Sequence, residues 1–403
     1  MTETEEALSD LRILDLTEGI AGPYCTKWFS DFGAQVTKIE RPGTGDASRS
    51  VGPFPDDLPH PEKSALFLYL NTRKRSLTLD LDTEAGQAVF RRLLAATDLL
   101  VDDSTPGTME RRGLAYADLQ AAHPALIVVA ISNYGQTGPD REAPATELTL
   151  AAHSGTMTNR RFAGRRPVKM GGSQSCYMAG RSAFLAAMAA VLSRDATGAG
   201  QLVDVSLLEG VAINDLGGPT IYSYQGLVRH PVAPPTSRGR GGMGPYPCKN
   251  GHVDVVPGVG GLKKLAVMLG DPGLAEHEWF RNHAARAAHA KEFDDQFMDP
   301  WFRERTCEEI VQKGQEAGMP FSYPIPTSAL CEDSQLVARE FFQTLDHPAA
   351  GSLAYPTSCV RPNGVRMAIS RAPLLGEHSE QILCGELGYS AEELEALRRD
   401  EVV

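Results

Sequence analysis

The chain has no run of apolar residues near the roughly 18 that a bilayer span requires. Its longest apolar candidate, Ser182 to Leu192, has the length of a buried helix. The first ten residues, M-T-E-T-E-E-A-L-S-D, are acidic and hold no apolar stretch of the kind a secretion signal needs. Cysteine is scattered: seven residues, an odd number, with no C-x-x-C spacing. That pattern argues against a disulfide framework or a zinc site and fits free thiols in a reducing compartment. The ten histidines show no H-x-x-x-H or H-E-x-x-H spacing, so no metal is expected. These absences predict a cytoplasmic protein without a membrane partner. Positive charge is also short, with 39 Lys and Arg against 51 Asp and Glu, a net charge of −12. A protein that binds nucleic acid needs a basic face, so that partner is not expected. A small anionic ligand stays open, because a few local cations can hold a phosphate.

With 403 residues, 42% of them hydrophobic, the chain can build a large core. Arg12 to Leu16 reads as a strand and Thr17 to Pro23 as a turn. Tyr24 to Phe32 reads as a helix and Gln35 to Ile39 as a second strand. That βαβ unit predicts a parallel sheet. Strands at Ser76 to Leu81, Leu99 to Val101, Leu126 to Ile131 and Gln201 to Ser206 continue the pattern. Helices at Thr83 to Ala95, Tyr116 to Ala122 and Gly180 to Arg194 alternate with them. The expected fold class is α/β, with residues 1–210 forming the first part of a large Rossmann-like domain. Residues 211–330 read as a smaller α+β domain with linkers, and residues 331–403 as a return to the large domain that could complete its sheet.

Several segments carry candidate chemistry. Glu147 opens the run E-L-T-L-A-A-H-S-G after a glycine-rich loop, where an enzyme can place a nucleophile or proton acceptor. The same position suits a helix-starting acid. Gly19-x-x-Gly22 follows a strand and opens a helix, with Glu40 at the end of the next strand. This is half of a dinucleotide fingerprint; without the full G-x-G-x-x-G, neither nicotinamide nor flavin is expected. Arg41 and Arg49 bracket one loop, and Asn71-Thr72-Arg73-Lys74-Arg75 forms a basic cluster. Both are placed to hold phosphates or to be plain surface charge. Gly258, Gly260 and Gly261 read as a mobile lid or an ordinary strand-to-helix turn. His153, near Glu147, is either a site residue or a satisfied histidine.

Seven blocks in order resemble the class III CoA-transferases (the CaiB/BaiF family). They are Leu11 to Pro23, Asp31 to Asp46, Asn71 to Leu81, Pro106 to Leu114, Ile131 to Pro139, Thr197 to Glu209 and Ala372 to Leu383. The resemblance implies a Rossmann-like large domain built from both chain ends, a smaller domain between, and an interlocked dimer. The substrates would be an acyl-CoA and a carboxylic acid. Arg41, Asn71, Lys74 and Arg75 would contact CoA. Gly19 and Ile20 would line the catalytic site, and Gly260 and Gly261 would belong to a loop that closes over it.

The chain departs from the family pattern at two places. Glu147 stands where the family has an aspartate nucleophile, and Ala151 replaces a glutamine. Asp102-Asp103-Ser104-Thr105-Pro106 stands where an Asn-Phe-Arg-Pro type sequence is usual. Three readings fit these departures. The first is a CoA-transferase with Glu147 as nucleophile. The second is an acyl-CoA racemase or isomerase using Glu147 with His153. The third is a non-catalytic subunit in a heteromer with an active homologue, in place of a homodimer.

Overall fold

The computed structural model describes residues 6–158, 165–214, 218–228, 241–257, 260–361 and 369–403. The chain divides into two compact units. One comprises Met1–Arg161, Pro167–His230 and Ala338–Val403; the other comprises Phe162–Arg166 and Pro231–Val337.

The larger unit is built on six parallel strands. They are β1 (Arg12–Asp15), β2 (Gln35–Glu40), β3 (Arg75–Thr78), β4 (Leu99–Asp102), β5 (Ile127–Ser132) and β6 (Leu202–Ser206). Their order is β3-β2-β1-β4-β5-β6, with every pairing parallel. This is the doubly wound Rossmann order, in which the chain reverses direction across the sheet between β1 and β4.

Side chains alternate between the two faces with a period of two. Leu14, Ile39, Leu77, Leu100 and Val128 pack on one face with the Glu84–Leu94 helix. Ile13, Val36, Leu99, Val101, Ile127 and Val129 pack on the other. There they meet the Ala21–Asp31 helix and the long Gln174–Thr197 helix.

The Gln174–Thr197 helix is 24 residues and is apolar enough by composition to cross a membrane. Its sequence looks shorter because Arg181 and small residues interrupt the apolar run. Here Ala179, Ala183, Ala187 and Ala190 are buried in the sheet core. Small residues let it lie close to the Ala21–Asp31 helix. A Cβ on Gly180 would stand 2.4 Å from the Ala21 carbonyl oxygen.

The C-terminal segment returns to the large unit, but it adds no strand to the six-stranded sheet. Phe342–His347 (β9) and Gly351–Pro356 (β10) pair antiparallel with each other instead. Ile382, Leu383, Leu394 and Val402 then cover one face of the large core.

In the smaller unit, Gly244–Cys248 (β7) and Gly251–Val255 (β8) form an antiparallel hairpin. It packs with Leu265, Phe293, Phe302 and Ile310 in a separate core.

Gly180→Ala forces a methyl group against backbone and is expected to cost about 1–3 kcal/mol. Gly171 has open space around it, so Gly171→Ala should stay within about 0.5 kcal/mol of wild type. Urea denaturation of both variants checks the difference.

Candidate active site

The site grows from the turn after β1. Asp15 ends that strand fully buried. Its carboxylate accepts from the Thr17 amide at 3.0 Å, Thr26 Oγ1 at 2.7 Å and Lys74 Nζ at 3.0 Å. Lys38 of β2, also fully buried, donates to the Thr17 carbonyl at 2.6 Å and pairs with Asp46 at 2.7 Å. Asp46 in turn accepts from the Gly19 amide at 3.0 Å. Four charges, two of each sign, thus lock the turn from below. Burial alone would raise the Asp15 carboxyl, but Lys38, Lys74 and the two threonines hold it well below the usual carboxylate range. Burial brings the Lys74 ammonium down to about 8, with the like charge of Lys38 adding to it against the pull of Asp15.

Both glycines of the half fingerprint have a structural reason. Gly19 takes φ +77°, which disfavours a side chain. A Cβ on Gly22 would lie 2.2 Å from Thr17 Cβ. Glu40 lines the large cavity described below, but its carboxylate is already engaged. Its carboxylate binds Arg49 at 2.7 and 2.9 Å, Ser76 Oγ at 2.7 Å and the Asp46 amide at 3.0 Å.

Arg49 is therefore internal, and the basic cluster differs from its reading in sequence. Lys74 spends its three donors on Asp15, the Pro23 carbonyl and Asn71 Oδ1. Asn71 is fully buried and donates to the Phe67 carbonyl. Arg75 pairs with Glu386 and donates to Thr37 Oγ1 at 2.8 Å. Asn71, Lys74 and Arg75 stand outside the lining of the cavity described next, whereas exposed Arg41 belongs to it. A sequence shows positive charge but not which charges the fold neutralises.

A cavity of about 1010 Å³ runs along the carboxyl ends of β1, β2 and β4. That is the reversal point where doubly wound sheets bind ligands, and the volume reaches the top of the usual range for ligand pockets, about 300–1,000 Å³. Its wall includes Arg41, Arg112 and Arg398. Arg41 lies 3.5 Å from Glu18, Arg112 lies 2.7 Å from Asp82, and Arg398 lies 2.7 Å from Glu395. These pairs are at least partly exposed and weak, so an anionic ligand can exchange for the carboxylates. Arg112 and Arg398 were not singled out in sequence: Arg112 caps a short helix inside the Pro106 to Leu114 block, which gave it no role of its own, and Arg398 lies on the C-terminal Ala391–Arg399 helix.

A second cavity, about 150 Å³, shares Glu18, Asp103, Ser104 and Thr105 with the first. Ile20, Arg141 and Cys176 also line it. Glu147 is not in its wall but binds the amide of Ser175, the residue before Cys176. Thr146 caps the Glu147–His153 helix, and its hydroxyl accepts from the Thr149 amide at 3.3 Å. The half-buried Glu147 carboxylate accepts the Ser175 amide at 3.0 and 3.1 Å, using a spare donor in the first turn of the Gln174–Thr197 helix. Cys176 follows directly. Burial, with the nearby charges of Glu147 and Asp103, pushes its thiol up to about 12, so it is no competing thiolate at neutral pH. Ile20 and Cys176 therefore line the small cavity, while Gly19 and Glu147 are outside its wall, Gly19 as the neighbour of Ile20 and Glu147 linked through the Ser175 amide.

His153 does not join them. It is exposed, six residues along the helix from Glu147, with its ring against Tyr134 at 5.8 Å. No hydrogen bond links it to Glu147 among the described residues. Gly260, at φ +69°, caps the Gly261–Met268 helix in the smaller unit. Gly258 lies outside the described residues.

A model of CoA-transferase family III matches residues 8–379. The chain belongs to this family. It is 31% identical over 407 residues to a succinyl-CoA–D-citramalate CoA-transferase of Chloroflexus aurantiacus, covering 98% of each protein. It is also 31% identical over 407 residues to a subunit of a succinyl-CoA:(R)-benzylsuccinate CoA-transferase of Thauera aromatica, covering 97% of each. Among solved structures, a CaiB/BaiF family protein from Brucella suis superposes with a TM-score of 0.81 at 26% identity. That match covers 95% of this chain and 100% of the other. The names of both transferases state CoA transfer from succinyl-CoA.

Two predictions test the electrostatics. Lys38→Met leaves Asp15 and Asp46 facing each other without their shared cation, and a loss of about 3–5 kcal/mol is expected in chemical denaturation. Burial holds the Asp103 carboxyl well above its ordinary value. Between the unfolded and the folded pKa the native state binds a proton that the unfolded chain does not, so this group lowers stability as pH rises. Asp103→Asn should therefore stabilise at neutral pH, with the gain shrinking toward pH 4. Urea midpoints measured across that range check the sign.

Proposed function

We propose that this chain moves CoA from an acyl-CoA thioester to a carboxylic acid, with Glu147 as the nucleophile. The observation that carries the proposal is the placement of its carboxylate. It accepts the Ser175 amide, next to Cys176 in the wall of a small cavity that shares Glu18, Asp103, Ser104 and Thr105 with a larger one at the sheet's reversal point. The larger cavity suits CoA, with Arg41, Arg112 and Arg398 available to its phosphates. The smaller one suits the reacting acyl groups.

The Glu147 carboxylate attacks the thioester carbonyl carbon. The C–S bond breaks, and CoA leaves as the thiolate with the electron pair, giving a mixed anhydride. The thiolate attacks the glutamyl carbonyl, releasing the donor acid and forming a glutamyl-CoA thioester. An acceptor carboxylate displaces the thiolate to give a second anhydride. The thiolate then attacks the acceptor's acyl carbon, which releases acyl-CoA and regenerates the Glu147 carboxylate. A covalent route splits one difficult transfer into steps of similar energy. Gly260 and Gly261 would belong to the loop that keeps water from the anhydrides. Asn71, Lys74 and Arg75 act at a distance in this reading, by fixing the turn and the strand edge. The protein works as a homodimer in the cytoplasm, with no metal, nicotinamide or flavin.

The exposed position of His153 favours this reading over a proton-transferring Glu147–His153 pair. Incubation with acyl-CoAs should add the mass of CoA less water to the peptide holding Glu147. Glu147→Gln should abolish the adduct and lower turnover by roughly 10³–10⁶-fold with the fold intact. Full turnover in that variant would remove Glu147 from the mechanism. Copurification of an inactive chain with an Asp-bearing homologue would support the non-catalytic subunit instead.

A further inference from the structure

We propose that Cys248 and Cys307 form a redox modification site in the smaller unit, where a peroxide drives a reversible disulfide. The pair stands apart from the transferase reading, because neither thiol lines either cavity. The two residues lie 59 apart in sequence, yet their sulfurs stand 3.1 Å from each other. Cys248 ends β7, and Cys307 opens the Cys307–Glu316 helix. A disulfide needs about 2.0 Å between sulfurs, so roughly 1 Å of approach completes the bond. Among the described residues no other two cysteines bring their sulfurs into contact.

The backbone around the pair is stitched together. The Asn250 side chain accepts the Cys307 amide at 2.8 Å and donates to Glu308 at 3.1 Å. The Lys249 amide donates to the Arg305 carbonyl at 2.9 Å. Thr306 caps the helix: its hydroxyl accepts the Glu309 amide at 3.3 Å, and the Glu309 carboxylate accepts the Thr306 amide at 2.9 Å. The hairpin turn and the helix start therefore present the two sulfurs from fixed supports. Gly251 leaves room for them, because a Cβ there would stand 3.2 Å from Cys307 Sγ.

The two thiols are unequal. Cys307 is 5% exposed, whereas Cys248 is half-buried. Burial and the neighbouring Cys248 push the Cys307 thiol up to about 12, so it stays protonated at neutral pH. Cys248 is thus the member that meets an oxidant, with Cys307 behind it as the resolving thiol. The Cys248 thiolate attacks one oxygen of hydrogen peroxide. The O–O bond breaks, hydroxide leaves and takes up the proton that Cys248 lost, and a sulfenic acid forms. The Cys307 sulfur then attacks the Cys248 sulfur. The S–O bond breaks, and the Cys307 proton joins the departing hydroxide as water. Two thiols and one peroxide thus give one disulfide and two waters; the sulfurs are oxidised and the peroxide is reduced. A small-molecule thiol reverses the bond by exchange.

The test treats the reduced full chain with hydrogen peroxide and unfolds it in urea. Free thiols are then blocked with iodoacetamide, and the protein is digested without reductant. Two of the seven thiols should be lost, and one cross-linked peptide pair should hold Cys248 and Cys307. The exposed Cys331 and Cys359 should still be alkylated. Dithiothreitol should restore both thiols. The cross-link takes freedom from the unfolded chain, so the urea midpoint of the oxidised protein should rise and should return on reduction. Cys307→Ala should stop at a sulfenic acid on Cys248, which dimedone traps. Cys248→Ala, at the less buried position, should keep the fold and leave Cys307 a free thiol. A pair that stays fully alkylated after peroxide, or a cross-link that joins other cysteines, overturns the proposal.

Discussion

Asp15, Lys38, Asp46 and Lys74 form a buried, charge-balanced cluster on which the geometry of the site depends. Burying charge is costly unless the partners are close and fully hydrogen-bonded. Here the bonds run outward from the cluster to the turn it supports: to Thr17 by amide and carbonyl, to Gly19 by amide, and to Pro23 by carbonyl. The backbone between β1 and the Ala21–Asp31 helix thus has little freedom to relax. Ile20 faces the small cavity from a fixed support. Rigid placement of this kind matters for a carboxylate nucleophile, because an error of about 1 Å can cost about 100-fold in rate.

The second support comes from the Gln174–Thr197 helix. Its alanine stripe, with Gly180, lets it lie against the Ala21–Asp31 helix, and both pack on one face of the sheet. The start of that helix reaches Glu147 through the Ser175 amide. The nucleophile candidate and the Gly19–Ile20 turn are therefore held by two helices that touch each other. A change in their packing would move Glu147 and Ile20 together.

Much of this architecture was legible in the sequence. The period-two apolar strands and their alternation with helices gave the parallel sheet. The opening blocks held Asp15, Thr17, Lys38, Asp46 and Lys74, which proved to be the buried cluster. What sequence could not supply was pairing. Arg49, Lys74 and Arg75 read as phosphate ligands or plain surface charge because a string of letters does not show Glu40, Asp15 or Glu386 waiting for them. Arg112 and Arg398 were invisible for the converse reason: two ordinary surface arginines on separate helices are brought to one cavity only by the fold. The tail misled in another way. Its β-like residues belong to a hairpin of their own, while its helical residues cover the core.

The segment Asp102 to Thr105 shows how a departure from the family pattern can be accommodated. Ser104 and Thr105, where the resemblance sets an aromatic and a guanidinium group, line both cavities. Asp102 is tied down by Tyr116 at 2.6 Å and Ser104 at 2.8 Å, so the loop keeps its course without the larger side chains. Asp103 accepts the Glu18 amide at 3.0 Å and so fastens the same turn that Asp46 fastens from below. Glu147 itself lines neither cavity; its link to this loop runs through Cys176, which follows the Ser175 amide that Glu147 binds and shares the small cavity's wall with Ser104 and Thr105.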